Sequence, residues 1–281
     1  MSLSIRTNLS SMNAQRTLAK TQGSLKENLS KLASGYRVRS AADDAAGLAI
    51  SEKMKAQIRS LQQAERNAND GISLIQTADG ALNELHGIMD RLRELGIQSA
   101  NGTYTDSDRV FINNEVKEMI NEVNRIVDVT EFNSHKLLNG SKNSGISFQV
   151  GINNSPTDVI KVSILDMHAS RLGASASTYL DAISVSTVSK ALQAIDVVDG
   201  AISTISSQRS KLGASQNRLQ VTVSNLASYR ENLSSANSQI RDVDVASETA
   251  DMAKNNILMQ AGTSVLAQAN QIQQVALNLI G

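Results

Sequence analysis

The chain has no cysteine in its 281 residues. That excludes disulfides, thiolate metal sites and a cysteine nucleophile, and leaves the redox compartment open. Tryptophan is also absent, and aromatic residues make up only 2% of the chain. Globular cores usually lean on large aromatic side chains. A core here has to come from Leu, Ile, Val, Met and Ala, which suits seams between long helices. There is no excess of either charge: Lys+Arg and Asp+Glu both total 27. The balance offers no electrostatic case for nucleic acid or an anionic membrane surface. No apolar run approaches the roughly 18 residues that span a bilayer. The opening MSLSIRTNLSSMNAQRTLAK lacks a basic region followed by an apolar run, so it does not read as a conventional signal peptide. Export would need a route that cleaves no such signal.

What the chain has in abundance is a seven-residue rhythm. Val198, Ile205, Leu212, Leu219, Leu226, Leu233 and Ile240 recur at that spacing, with Ile195 and Ile202 in the companion position. Such a stripe lies along one side of a long helix and calls for a partner helix. Leu61, Ala68, Ile75, Leu82 and Met89 form a second stripe, with Ala64, Ala78, Leu85 and Leu92 between them. The spacing predicts helices over about 43–100 and 185–236, far beyond the usual length of about 11–12 residues. Ser40 with Asp43 reads as a capping box opening the first. A third helix is expected over 106–128, where Ile112, Val116, Met119, Val123 and Ile126 step by four and three, with Thr105 or Asp106 as its cap. Alternation at Ile146, Phe148 and Val150, and again at Ile160, Val162 and Ile164, predicts a β-hairpin. The single proline, Pro156, falls in its loop.

Both ends carry amphipathic helices. Leu18, Leu25 and Leu32, with Leu29, make one stripe; Leu258, Val265, Ile272 and Leu279, supported by Ala261 and Val275, make the other. A lone monomer could bury these stripes only against each other. That pair would leave much apolar surface uncovered, and large exposed apolar surfaces mark interaction sites. The fold class is therefore mostly α: a long helical coiled-coil bundle with a small β-hairpin region and paired terminal helices. The pattern argues for self-assembly.

Chemistry-bearing motifs are sparse. His86, His135 and His168 are isolated, with no second histidine one turn away, so a helical zinc pair is not expected. No grouping of Ser, His and Asp suggests a hydrolase cleft. Gly35, Gly71, Gly80 and Gly96 form no phosphate-cradling loop. They read instead as close helix approaches at Gly71 and Gly80 and a break in helicity at Gly35. No catalytic, cofactor or metal residues are assigned.

Three blocks remain: LASGYRVRSAADDAAGLAI over 32–50, RNANDGIS over 66–73 running on to DGALNE over 79–84, and QAGTSVLAQAN over 260–270. Together they closely resemble bacterial flagellins, a likeness covering about 1–140 and 190–281. The resemblance implies an inner terminal coiled-coil domain of 1–42 and 237–281. It also implies a helical bundle domain of 43–236, with the hairpin at about 140–167 and no room for large outer domains. Leu18, Leu25, Leu32, Leu258, Val265, Ile272 and Leu279 would pack in the filament core. The chain would be a secreted, extracellular subunit of a helical homopolymer, exported unfolded through a flagellar type III secretion system. The partners implied are a flagellin export chaperone at the C-terminal helix and the filament cap and hook–filament junction proteins. The stretch RLRELGIQSAN over 91–101 resembles the patch gripped by the flagellin-sensing Toll-like receptor of animals, with Arg91, Leu95 and Glu115 matching its contacts. Without the resemblance, the same stretch is an ordinary solvated helix face. A hook–filament junction protein, which shares the terminal helices, is the alternative within flagellar proteins. A soluble coiled-coil binding module and an enzyme on a helical scaffold are the alternatives outside them.

Overall fold

The computed structural model describes residues 7–173 and 179–278, with side chains in the final helix described up to Ile272. Five long helices carry nearly all of it: α1 (Leu9–Ser34), α2 (Ala45–Ala100), α3 (Asp106–Val129), α4 (Val188–Arg241) and α5 (Val245–Asn278). Packing divides the chain into two compact units, one of 1–58 with 231–281 and one of 59–230. The divisions fall inside α2 and α4, because each helix runs on through both units.

The helix ends follow local chemistry. Asn8 caps α1 by accepting from the Ser11 N–H at 2.9 Å, and Gly35, at φ +72°, ends it in the left-handed conformation. Thr105 and Asp108 form a reciprocal capping box at the start of α3. The expected box at Ser40 and Asp43 is not what opens α2. The Asp43 carboxylate accepts the backbone N–H groups of Arg39 and Ser40, closing a turn ahead of the helix. Those bonds hold its pKa below the ordinary carboxylate value. The cap itself is Asp44, which accepts from the Gly47 N–H at 2.9 Å. The start of α4 was expected too early. Val185 is held out of the helix because its N–H donates to Asn113 Oδ1 and its carbonyl accepts from Ser99 Oγ.

In the larger unit, α2, α3 and α4 share one aliphatic core. Leu61, Ala68, Ile75, Leu82 and Met89 are all buried, as are Val198, Ile205, Leu212 and Leu219. Glycine lets the helices close up at Gly71, where an added Cβ would stand 3.2 Å from Leu219 and 3.1 Å from Phe148, and at Gly96, 3.0 Å from Ile195. Gly80 has nothing within 4 Å, so the expected close approach there is absent. The predicted hairpin pairs β3 (Ile146–Gln149) antiparallel with β4 (Val159–Val162), with Phe148 opposite Ile160. A second, two-residue ladder, β1 (Glu131–Phe132) with β2 (His135–Lys136), turns through Asn133 and Ser134. Both turn residues have positive φ, and the strands are too short to show alternation in the sequence.

In the smaller unit, α1 packs against α5. The chain between α1 and α2 is clipped to the end of α4: Tyr36 bridges Asp242, the Arg37 N–H donates to the Arg241 carbonyl, and the Arg241 guanidinium lies over the Tyr36 ring. Leu233 and Ile240, buried by the stripe's own logic, are only half-buried here.

Candidate assembly and recognition surfaces

The α1–α5 seam follows the heptad on the α1 side. Ser11, Ala14, Leu18, Thr21, Leu25, Asn28 and Leu32 are its buried or half-buried positions. Asn8 Nδ2 donates to the Ala269 carbonyl at 3.1 Å, and an added Cβ on Gly262 would meet Leu18 at 3.1 Å, so the helices run antiparallel. On the α5 side the seam is made by Met252, Asn255, Met259, Gly262, Leu266 and Ala269. Leu258, Val265 and Ile272 do not face α1. They are exposed, Val265 to 56%, and form an apolar stripe one helix face away. Leu279 lies outside the described residues.

The expectation that the two terminal stripes bury each other is thus corrected. α5 carries two apolar stripes, and the one with Gly262 and Ala269 in it allows closer approach of the helices. The outward stripe has no cover among the described residues.

The second surface lies on α2 and α3. Arg91 Nη2 donates to Glu115 Oε1 at 2.7 Å and Arg91 Nη1 to Glu94 Oε2 at 3.0 Å. The hydrogen bonds with Glu115 and then Glu94 push the guanidinium pKa further up, so the group is a permanent cation. All three side chains are exposed. Leu95, matched to the same patch in sequence, is only 1% exposed and belongs to the core. It offers no surface to a partner in this conformation; it supports the face from beneath.

The histidines do not converge. Among the described residues no group of three His, Cys, Asp or Glu side chains could hold a metal ion. His168 nevertheless has a role that the sequence hid. Its Nδ1 lies 2.6 Å from Asp166 Oδ1 and its Nε2 lies 3.2 Å from Asp128 Oδ1 on α3. Burial lowers its pKa, but the two carboxylates outweigh that and leave it raised. The Asp166-x-His168 pair was visible in the sequence; Asp128, forty residues away, was not.

Among the described residues no helix is long and apolar enough to cross a membrane. Interlocked long helices, paired chain ends and an uncovered apolar stripe define a helical structural protein built for contact with other chains. Residues 5–143 match the bacterial flagellin N-terminal helical region, and 195–280 match the C-terminal helical region. The chain is 45% identical to a flagellin of Halalkalibacterium halodurans, over 97% of this chain and 98% of the relative. It is 44% identical to the flagellar filament core protein flaB2 of Brachyspira hyodysenteriae, over 98% and 99%. It is 43% identical to a flagellin of Bacillus subtilis, over 97% and 98%. A structure described as a flagellar hook-associated protein of Vibrio parahaemolyticus is similar in fold alone, with a TM-score of 0.60 at 12% identity, covering 71% of this chain and all of that one. The chain belongs to the bacterial flagellin family. It is a structural subunit of the flagellar filament, outside the cell.

Proposed function

We propose that this subunit polymerises by burying the outward stripe of α5, Leu258, Val265 and Ile272, against neighbouring copies in the filament core. The exposure of that stripe at heptad spacing carries the reading. An open helical polymer joins unlike surfaces on successive copies, so an apolar face uncovered in the monomer is what such a contact requires. Before assembly the same face suits a flagellin export chaperone at the C-terminal helix. At the filament's two ends, the hook–filament junction and cap proteins would meet these same helices. The test is electron microscopy of concentrated protein. Wild type should give long filaments of uniform width and Val265→Asp none, because a carboxylate in an apolar seam costs several kcal/mol on the order of magnitude. Normal growth of Val265→Asp would refute the seam.

A second reading rests on a separate observation, the exposed Arg91 with Glu94 and Glu115. The monomer would be recognised there by the flagellin-sensing Toll-like receptor of animals. Arginine suits such a contact because its planar fork donates to several acceptors at once. The receptor would grip Arg91 and Glu115, with Leu95 holding the face rather than touching the partner. The family-level alternative, a hook–filament junction protein, is disfavoured because the near-full-length relatives are flagellins or filament core proteins. The hook-associated likeness extends to fold only.

A further inference from the structure

Every sulfur in the chain is a thioether, because there are eight methionines and no cysteine. Oxidation of methionine is therefore the sulfur chemistry open to it. A peroxide supplies the oxygen atom. The sulfur lone pair attacks it, the O–O bond breaks, and the other oxygen leaves as water, so the sulfur is oxidised and the peroxide reduced. The product is a sulfoxide, polar and chiral where the thioether was apolar and flexible. What that does to a protein depends on where the methionine sits.

The described methionines occupy distinct environments. Met89 and Met167 are 0% exposed and belong to the aliphatic core of the larger unit. Met12 is exposed on α1, off the seam, while Met54 on α2 and Met119 on α3 are half-buried. Met252 and Met259 lie in the α1–α5 seam, one heptad apart on one face of α5, and each keeps part of its surface in solvent.

That last pair stands where a sulfoxide does most harm. With Leu266 they are the large apolar side chains that α5 brings to the seam; its other seam positions are Asn255, Gly262 and Ala269. The antiparallel register runs from Asn8 beside Ala269 through Leu18 beside Gly262, which sets Thr21 level with Met259 and Asn28 level with Met252. Thr21 and Asn28 are two of the buried polar positions of α1. The Thr21 hydroxyl spends its only proton on the Thr17 carbonyl at 3.1 Å. The Asn28 amide turns its nitrogen to the Ser24 carbonyl on its own helix, and its oxygen accepts the Met252 N–H at 3.2 Å. The polar groups of the seam are thus directed away from the sulfurs. A sulfoxide oxygen formed there is a strong acceptor without a donor, and an unmet acceptor opposes burial.

We propose that Met252 and Met259 are the sites through which peroxide acts on this subunit, and that their oxidation to sulfoxides keeps α5 from docking on α1 and halts assembly. The proposal rests on the filament reading and adds to it a reversible chemical control, because sulfoxide reductases return the thioether.

The test treats monomer with hydrogen peroxide, maps sulfoxides by peptide mass spectrometry and then follows filament elongation. Met252 and Met259 should oxidise about tenfold faster than Met89 and Met167, since susceptibility follows exposure. Elongation should be lost in treated wild type. It should survive treatment in a Met252→Leu, Met259→Leu double variant, because leucine keeps the apolar volume without the sulfur. Treated Met12→Leu should be inhibited like wild type. Inhibition of the double variant equal to that of wild type, or protection by Met12→Leu, overturns the proposal. If the untreated double variant does not assemble, oxidised wild type incubated with sulfoxide reductases decides. Elongation should return in step with the loss of sulfoxide at Met252 and Met259; recovery that tracks Met12 or Met54 instead sinks the assignment. If untreated wild type does not polymerise, the filament reading fails and the seam is followed in the monomer. Its far-ultraviolet helix signal should then fall on oxidation in wild type and not in the double variant, and equal loss in both overturns the proposal.

Discussion

Arg91 on α2 and Glu115 on α3 are joined by two hydrogen bonds to one oxygen, from Nη2 at 2.7 Å and Nε at 3.2 Å. The pair ties two helices together at the surface, yet both partners remain open to solvent. Exposed ion pairs contribute little to stability. Arg91→Ala should therefore leave the thermal midpoint of the monomer almost unchanged. Receptor signalling by the monomer should drop sharply, since truncating an interface arginine typically weakens binding roughly thirtyfold. The assay is a receptor reporter read with wild-type and variant monomer. Full signalling by the variant would remove Arg91 from the contact.

Leu95 behaves differently because it is core. Leu95→Ala should cost about 2–5 kcal/mol, visible as a lower urea midpoint. Any loss of signalling by this variant should follow the loss of structure. A variant of unchanged stability that fails to signal would return Leu95 to the contact surface.

These two residues show what the sequence could and could not reveal. Leu85, Met89, Leu92 and Leu95 step by four and three, the spacing of the buried face of α2, but the family likeness placed Leu95 in the patch and its place at the end of the stripe went unread. The stripes of α2 and α4 were legible because each long helix has one apolar face and one core to meet. α5 was harder. Met252, Met259 and Leu266 recur every seven residues just as Leu258 and Val265 do. Which stripe meets α1 depends on the small residues Gly262 and Ala269, whose effect appears only once a partner helix is placed. The His168 clamp was invisible for a similar reason, since it joins a loop to the end of α3.

That clamp predicts a pH dependence. Both ring nitrogens face carboxylates, so the imidazolium form can donate to both Asp166 and Asp128, whereas neutral imidazole can donate to only one. The folded pKa is raised above its unfolded value of about 6.5. The resulting stabilisation is complete below that value and is lost as pH rises through the folded pKa. Imidazole resonances should place the His168 midpoint above 6.5 in the wild type, and Asp128→Asn should lower it. As pH rises through that midpoint, exchange at the Ala169 N–H, which donates to Asn124 Oδ1, should accelerate. A midpoint unmoved by Asp128→Asn would rule out the clamp.

Glycine spacing gives a paired test of helix packing. Gly80 sits in mid-helix with nothing within 4 Å of an added Cβ. Gly80→Ala should therefore stabilise by about 0.5–1 kcal/mol through helix propensity. Gly96→Ala would set its methyl 3.0 Å from Ile195, forcing α2 and α4 apart or Ile195 into another rotamer. It should destabilise despite the same propensity gain. Urea denaturation of the two variants checks the contrast. Equal shifts would mean that the close approach at Gly96 carries no packing constraint.

The last expectation concerns the chain ends, where the burial is of an unusual kind. The buried positions of α1 are Ser11, Thr21 and Asn28; Leu18, Leu25 and Leu32 are half-buried, and Leu9 and Leu29 are exposed. Hydrophobic stabilisation scales with apolar area removed from water, and polar seam residues remove little of it. The α1–α5 pair should therefore open readily in the monomer, with far weaker amide protection than the aliphatic core of α2, α3 and α4. In the filament, neighbours would cover Leu258, Val265 and Ile272 and add the apolar area that the monomer lacks. Hydrogen exchange measured on monomer and filament should then show α1 and α5 passing from weak to strong protection while the α2–α3–α4 core changes little. Strong protection of both terminal helices in the monomer would mean that the polar seam suffices alone, and that assembly is not what secures the ends.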